Sequence, residues 1–190
     1  AFLALAVFYY VATGPVSSGS YWFVEGRADA VLLSSEPWRM VTALTLHADS
    51  QHLLGNLISG SIFGALVSRR LGAGGALLAV VAAGGLGNAL NAIYHLSEGH
   101  RSIGASTAVF GAVGLLAGIQ TIVGLRRQEK RSWALSDLVA PAIGGLALLG
   151  TFGADPNSDV SAHGFGFAAG LGARAPTRAA GRFAALLALL

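Results

Sequence analysis

Four side chains of this sequence form a set that could carry out acyl transfer. Ser106 lies in the stretch GASTAVFG (104–111), while His52, Asn56 and His163 lie elsewhere in the chain. A serine hydroxyl is a weak nucleophile until a positioned base takes its proton, and neutral imidazole is the commonest such base. The oxyanion that then develops needs preorganised hydrogen-bond donors. We therefore assign Ser106 as candidate nucleophile, His163 as candidate base, and His52, Asn56 and the Ser106 backbone N–H as candidate oxyanion donors.

Each of these residues taken alone has a simpler explanation. A serine among glycines and alanines in an apolar helix more often serves packing or bonds its own backbone. Gly166 and Gly170 have the small-xxx-small spacing of a helix contact, which would also let the helices of Ser106 and His163 approach each other. Asp159, four residues before His163, could orient the imidazole, but we favour a role as the N-cap of its helix.

The composition predicts an integral membrane protein. Of 190 residues, 54% are hydrophobic and only 11% are charged, and the mean hydropathy is +0.64, whereas soluble domains carry roughly 25% charged residues. The absence of cysteine excludes disulfides, thiolate catalysis and cysteine metal sites. Five histidines without compact metal-ligand spacing predict neither a metal site nor a cofactor. His95 and His100 are expected to be solvated loop residues.

Six apolar segments approach the roughly 20 residues that a helix needs to cross a bilayer core of about 30 Å. They cover residues 1–14, 51–68, 71–94, 103–125, 134–153 and 160–174. Residues 15–50, which hold several aromatic and moderately charged positions, predict a structured segment that lies in the membrane interface. The expected fold is therefore all-α, a single six-helix polytopic membrane domain over residues 1–190.

The loop charges predict the orientation of these helices, because Lys and Arg near span ends favour the cytoplasm. Nine of the twelve basic residues fall in connections 2–3 and 4–5 and after the sixth span: Arg69, Arg70, Arg126, Arg127, Lys130, Arg131, Arg174, Arg178 and Arg182. Connections 1–2, 3–4 and 5–6 hold Arg27, Arg39 and Arg101 with seven of the nine acids. Both ends of the six-span domain are thus predicted to be cytoplasmic. The isoelectric point near 9.8 reflects this topology and indicates no nucleic-acid partner.

The candidate residues share one depth in this arrangement. His52 and Asn56 lie four apart on one face of the second helix, Ser106 begins the fourth and His163 begins the sixth. At 1.5 Å per residue each lies within about 4 to 8 Å of its outer boundary. Polar groups in a membrane usually face the bundle or a water-filled cavity. We therefore predict a site near the extracytoplasmic face, with access to the water that hydrolysis consumes.

These residues also resemble a known family, the rhomboid intramembrane serine proteases. The stretch PWRMVTALTLHADSQHLLGN (37–56) resembles the family's first-loop WR element, followed by paired histidines and the HxxxN of the second helix. It supplies counterparts for these residues: Trp38, Arg39, His47, His52 and Asn56. GASTAVFG resembles the GxSx nucleophile motif, with Gly104 and Ser106. AHGFGFAAG (162–170) resembles the AHxxGxxxG of the sixth helix, with His163, Gly166 and Gly170.

The resemblance implies a Ser–His dyad that cleaves single-span membrane proteins in or near the top of their transmembrane segment. It also implies that Phe110 packs on the imidazole of His163. Most members have glycine after the nucleophile, whereas this chain has Thr107, whose β-branched side chain is expected to narrow the substrate clearance around Ser106. The expected location is a bacterial inner membrane, and no oligomeric state is predicted.

Two other functions remain open from the sequence. A pseudoprotease of the same fold would capture membrane-protein helices without cutting them, although inactive relatives usually lack the serine or the base. A proton-coupled transporter would relay protons through its histidines, but it would be expected to show inverted repeats and polar groups at the midplane, and neither is evident.

Overall fold

A computed structural model describes residues 2–127 and 159–173, and nearly all of the regular structure in these ranges is helical. Seven α-helices are present in them: α1 (Phe2–Thr13), α2 (Tyr21–Gly26), α3 (Arg39–Thr42), α4 (Ser50–Leu71), α5 (Ala73–Tyr94), α6 (Ser106–Arg127) and α7 (Val160–Gly172). Two 3-10 helices cover Val16–Ser18 and Ala43–Thr45. Two short strands, β1 (Ala28–Asp29) and β2 (Arg101–Ser102), pair antiparallel.

Local sequence signals explain where α4 and α7 begin and where the chain turns between α4 and α5. The carboxylate of Asp49 caps α4 by accepting the backbone N–H of His52 at 2.8 Å. Asp159 caps α7 by accepting the N–H of Ala162 at 3.0 Å, which confirms the predicted N-cap. Such caps satisfy N–H groups that have no partner within the helix. Between α4 and α5 the chain turns at Gly72, whose φ of 77° favours glycine.

The core of the bundle is formed by α4, α5, α6 and α7. One buried cluster joins Val67 of α4 and Ala76 of α5 to Ala112 and Leu115 of α6. A second joins Phe110, Val113 and Ala117 of α6 to Phe167 of α7. Beside these clusters glycines bring the helices to backbone contact, since a Cβ at Gly114 of α6 would overlap the carbonyl of Phe167 of α7, as the glycine-rich composition favours.

The segment between α1 and α4 is structured, as its composition predicted. Arg39, almost fully buried, donates hydrogen bonds to the carbonyls of Val24 (2.7 Å) and Arg27 (3.3 Å) and pairs with Glu36. The strand pair joins this first loop to the α5–α6 connection, with Ala28 opposite Ser102 and Asp29 opposite Arg101. Trp38, by contrast, is mostly exposed.

Five of the six predicted spans coincide with helices to within a few residues. The remaining span, 134–153, lies outside the described residues. By length and composition, α5, with a mean hydropathy of 1.7, is the one helix in the described part of the chain that is long and apolar enough to cross a membrane unaided. Polar residues lower the hydropathy of α4. The six-span count and the single domain stay predictions.

Candidate active site

Ser106 is the first residue of α6, and it follows a turn that requires glycine. Gly104 has a φ of 113°, and its N–H donates to the carbonyl of Ala43 at 2.9 Å. A Cβ at Gly104 would lie 2.6 to 2.7 Å from the ring atoms Cε1 and Nε2 of His52 and 3.6 Å from Ser106 Oγ. Because Gly104 has no side chain, the hydroxyl of Ser106 and the imidazole of His52 can face the same space.

The hydrogen bonds of His52 indicate which ring nitrogen carries its proton. Its Nδ1 accepts the N–H of Ala48 at 3.4 Å. A neutral imidazole that accepts at Nδ1 carries its proton on Nε2, the nitrogen that faces the position above Gly104. The ring of His47 packs edge-on against His52, with the ring centroids 5.3 Å apart and the planes at 69°. His52 thus presents a donor toward the space beside Ser106.

Asn56 lies one turn after His52 on the same face of α4 and is buried. Its Nδ2 donates to the carbonyl of His52 at 3.1 Å. This bond uses one of the two amide hydrogens, and the second is available to another acceptor. The amide is therefore held in position by its own helix.

His163 is the fourth residue of α7, is only 4% exposed, and its N–H donates to the carbonyl of Asp159 at 3.0 Å. The ring of Phe110 lies on the imidazole, with the ring centroids 4.6 Å apart and the planes at 31°. Because Phe110 follows Ser106 by four residues, about one helical turn, the imidazole packs against α6 one turn from the serine.

Glycines bring α6 and α7 close enough for this contact. A Cβ at Gly166 would overlap the carbonyl of Thr107, and one at Gly170 would overlap the carbonyl of Gly111. Both glycines were predicted from the sequence as the helix contact. Without them, the two backbones could not lie at this separation.

The side chain of Thr107 packs between helices, and its effect on the substrate clearance around Ser106 stays a prediction. Its side chain is part of a residue only 3% exposed. Its Cγ2 lies 2.7 Å from the Cβ position of Gly87 on α5 and 3.0 Å from that of Gly166 on α7. The methyl group therefore fills space between α5, α6 and α7.

Two histidines expected to be solvated are only partly exposed and contact other side chains. The Nε2 of His100 donates to Asp159 Oδ2 at 2.7 Å. His95 lies 2.8 Å from Glu98 Oε2 and 3.0 Å from Ser161 Oγ, and its ring stacks on His100 with the centroids 4.5 Å apart. Sequence reasoning missed these contacts because the partners are up to 66 positions apart.

Asp159 carries a charge within this group of partners. Burial by itself would raise the pKa of its carboxyl, but hydrogen bonds from Ser102, His100, Ala162 and Ser161 outweigh burial and lower the pKa to about 2. The carboxylate therefore remains ionised at neutral pH.

The family model described as "Rhomboid domain" matches residues 34–179, most of the chain. The chain belongs to the rhomboid family. Among the rhomboid relatives, the RHOMBOID-like protein 5 of Arabidopsis thaliana is 33% identical over 138 residues, 71% of this chain and 42% of the relative. The putative rhomboid protease YdcA of Bacillus subtilis (strain 168) is 31% identical over 137 residues, 72% of this chain and 65% of the relative.

The rhomboid protease GluP of the same bacterium is 32% identical over 90 residues, 47% of this chain and 17% of the relative. The chain thus spans less than two thirds of the length of these rhomboid relatives. No solved structure matches it. Rhomboid-family proteins are integral membrane proteins, so membership places this helical chain among polytopic membrane proteins related to proteases.

Proposed function

We propose that this chain is an intramembrane serine endopeptidase in which Ser106 and His163 form a catalytic dyad. The observation that chiefly supports the proposal is the stacking of Phe110 on His163, one turn along α6 from Ser106. Rhomboid family membership supports the same reaction class. Single-span membrane proteins are the proposed substrates, met in a bacterial inner membrane.

The proposed reaction proceeds in two halves. His163 takes the proton of Ser106 Oγ as the oxygen attacks the scissile carbonyl, and the tetrahedral oxyanion forms. Collapse breaks the C–N bond, and the imidazolium gives its proton to the leaving amine, which leaves an ester on Ser106. Water then attacks this ester, His163 takes the water's proton and returns it to Ser106 Oγ, and the new carboxyl end departs.

The proposed oxyanion donors are His52 Nε2–H, the second hydrogen of Asn56 Nδ2 and the Ser106 backbone N–H. The tautomer of His52 supports this role, because its Nδ1 is occupied by Ala48 and its Nε2 faces the space above Gly104. Donors held in advance stabilise the developing charge without reorganisation. The glycine turn at Gly104 keeps that space open.

The substrate must expose a carbonyl that a transmembrane helix normally hides in its own hydrogen bonds. We therefore expect cleavage near the outer end of the substrate helix, where small or helix-destabilising residues let the segment unwind. The second half of the reaction requires water, and a site near the predicted extracytoplasmic face is expected to have access to it.

The test is labelling of the purified chain in detergent by a fluorescent fluorophosphonate, followed by cleavage of a model transmembrane substrate in proteoliposomes. Wild type is expected to be labelled and active, and Ser106→Ala and His163→Ala are expected to lose both. Ser59→Ala, which removes a hydroxyl that bonds its own helix at Gly55, is the matched control and is expected to behave as wild type.

Equal labelling of wild type and Ser106→Ala, without cleavage, would contradict the proposal. Binding of the substrate helix without cleavage would then favour the pseudoprotease. Mass spectrometry of the products locates the cut peptide bond in the substrate.

A further inference from the structure

The carboxylate of Asp159 connects two parts of the chain that are far apart in sequence. Its Oδ1 accepts the N–H of Ala162 (3.0 Å) and the hydroxyl of Ser161 (2.9 Å), both at the start of α7. Its Oδ2 accepts hydrogen bonds from three groups beyond α7: Ser102 Oγ, His100 Nε2 (2.7 Å) and Asn91 Nδ2 (3.1 Å). The two carboxylate oxygens therefore contact different parts of the chain: Oδ1 contacts the start of α7, and Oδ2 contacts α5 and the α5–α6 connection.

The two segments are those that carry the dyad. Ser102 lies four residues before Ser106, and the chain between them contains the positive-φ turn at Gly104. On the other side, the carbonyl of Asp159 accepts the N–H of His163. Asp159 is thus hydrogen-bonded to Ser102, which precedes the turn leading to Ser106, and to the backbone of His163, the proposed base.

The contacts on Oδ2 lie in a largely buried place. Asn91 and Ser102 are buried, and Asn91 Nδ2 also donates to Ser102 Oγ at 3.0 Å. Hydrogen bonds to a charged group are stronger than neutral ones, and more so where water is partly excluded. N-capping alone uses only Oδ1, so it does not account for the three donors on the other oxygen.

We propose that Asp159 is a positioning residue that holds the helix of His163 in register with the loop of Ser106. Its contacts through Oδ2 to Asn91, His100 and Ser102 are called the clasp below. The inference rests on the proposed function, because its consequence is catalytic. A misplacement of reacting groups by about 1 Å can cost roughly 100-fold in rate.

Asp159→Ser separates the clasp from the cap. Serine caps helices about as well as aspartate, but its side chain is too short to reach both segments. We expect kcat for a transmembrane substrate to fall roughly 10- to 100-fold with KM changed by less than about 2-fold. Because the cap remains, the melting temperature is expected to stay within a few degrees of wild type.

Ser102→Ala tests the clasp from the other side without touching α7. We expect a smaller loss of kcat of the same kind. In the double variant the losses should not add, because both substitutions remove one connection. Ser59→Ala and Glu98→Gln, the latter an exposed carboxylate on the same loop, are matched controls and are expected to keep wild-type kcat.

An unchanged kcat in Asp159→Ser would overturn the inference, as would losses that add in the double variant. If wild type itself does not cleave, the proposed function fails, and amide hydrogen exchange of the full-length chain then tests the clasp. Faster exchange over residues 103–108 in Asp159→Ser, but not in Ser59→Ala, would support it. Unchanged exchange would overturn it.

Discussion

At the residue scale, the tautomer of His52 and the orientations of His52 and Asn56 determine which hydrogen-bond donors the candidate site presents. His52 is oriented by the N–H of Ala48 at Nδ1 and by the ring of His47, so its donor direction is set before any substrate binds. Asn56 is oriented by a bond to the carbonyl of His52. Both side chains are thus preorganised, which is the property that gives an oxyanion donor its effect.

Removal of the amide of Asn56 should slow the reaction without preventing folding. We expect Asn56→Ala to lower kcat roughly 10- to 1000-fold, because one oxyanion donor is lost. Steady-state cleavage of a transmembrane substrate measures this. Asn88→Ala is the control, because it removes another buried amide, one that donates to the carbonyl of Met40 at 2.9 Å. Its main effect should be a lower melting temperature rather than a lower kcat. An unchanged kcat in Asn56→Ala would remove Asn56 from the proposed donors.

His47 should make stability depend on pH. Burial, helped by the charge of His52, lowers the pKa of His47 from 6.5 to about 4, and the residue is 1% exposed. Between pH 6.5 and about pH 4 the unfolded chain binds a proton at this histidine that the folded chain does not. The free energy of unfolding therefore falls as the pH falls, by about 3 kcal/mol in all.

The measurement for His47 compares two titrations. The melting temperature of wild type and of His47→Phe, which keeps a ring but cannot titrate, is followed from pH 7 to pH 4. The wild type is expected to lose more stability than the variant over this range. Parallel curves would show that His47 does not titrate at the low pKa.

At the element scale, the fit of α6 against α7 decides whether the proposed dyad of Ser106 and His163 can form. Glycines at 166 and 170 put backbone against backbone, and the methyl of Thr107 fills the remaining space against Gly87. Overpacking such a contact is costly because the backbone atoms have no alternative position. A second glycine pair on α6, Gly114 and Gly118, would meet the backbone of Phe167 and Leu171 in the same way.

The chain offers a matched pair of glycines on α7 to test this. A Cβ at Gly170 would overlap the carbonyl of Gly111 and lie 2.9 Å from the N of Leu115, whereas one at Gly172 meets nothing within 4 Å. Gly170→Ala is expected to destabilise by about 1 to 3 kcal/mol or more and to reduce fluorophosphonate labelling. Gly172→Ala should be neutral or stabilise by up to about 1 kcal/mol. Thermal unfolding in detergent measures both, and equal melting temperatures would contradict the packing account.

The same contacts show what the sequence could predict. Apolar segment length placed most helices within a few residues, and the cap by Asp159 followed from residue type and position. The direction of the Thr107 side chain did not follow, because it depends on two glycines from other helices. Nor did the donors on Asp159 Oδ2, since Ser102 and His100 lie 57 and 59 positions away, and no local pattern encodes such pairs.

At the scale of the whole molecule, the candidate site lies at one end of the bundle. The beginnings of α4, α6 and α7 and the end of α5 meet there, as the contacts among His52, Gly104, Asn91 and Asp159 require. Arg69 and Arg70 lie at the far end of α4. The charge pattern therefore predicts that the site end is extracytoplasmic.

Single cysteines test this orientation directly, because the chain has none of its own. Glu98→Cys lies on the loop at the site end, where the side chain is 69% exposed, and Arg70→Cys lies exposed at the other end. In intact bacterial cells a membrane-impermeant maleimide is expected to label the first variant and not the second. Lysed cells should show both labelled. The reverse pattern in intact cells would contradict the predicted topology.

The first loop is joined to the loop before the serine by backbone hydrogen bonds and by an ion pair between Arg101 Nε and Asp29 Oδ2 at 3.1 Å. Ala30 N–H donates to the carbonyl of His100 at 3.0 Å, Gly104 N–H donates to Ala43, and β1 pairs with β2 between them. A displacement of the first loop would therefore be transmitted to the turn before Ser106, the proposed nucleophile. If turnover occurs as proposed, an antibody fragment that binds the exposed side of the first loop and shifts it is expected to alter that turnover from the predicted extracytoplasmic side, without contacting Ser106 itself.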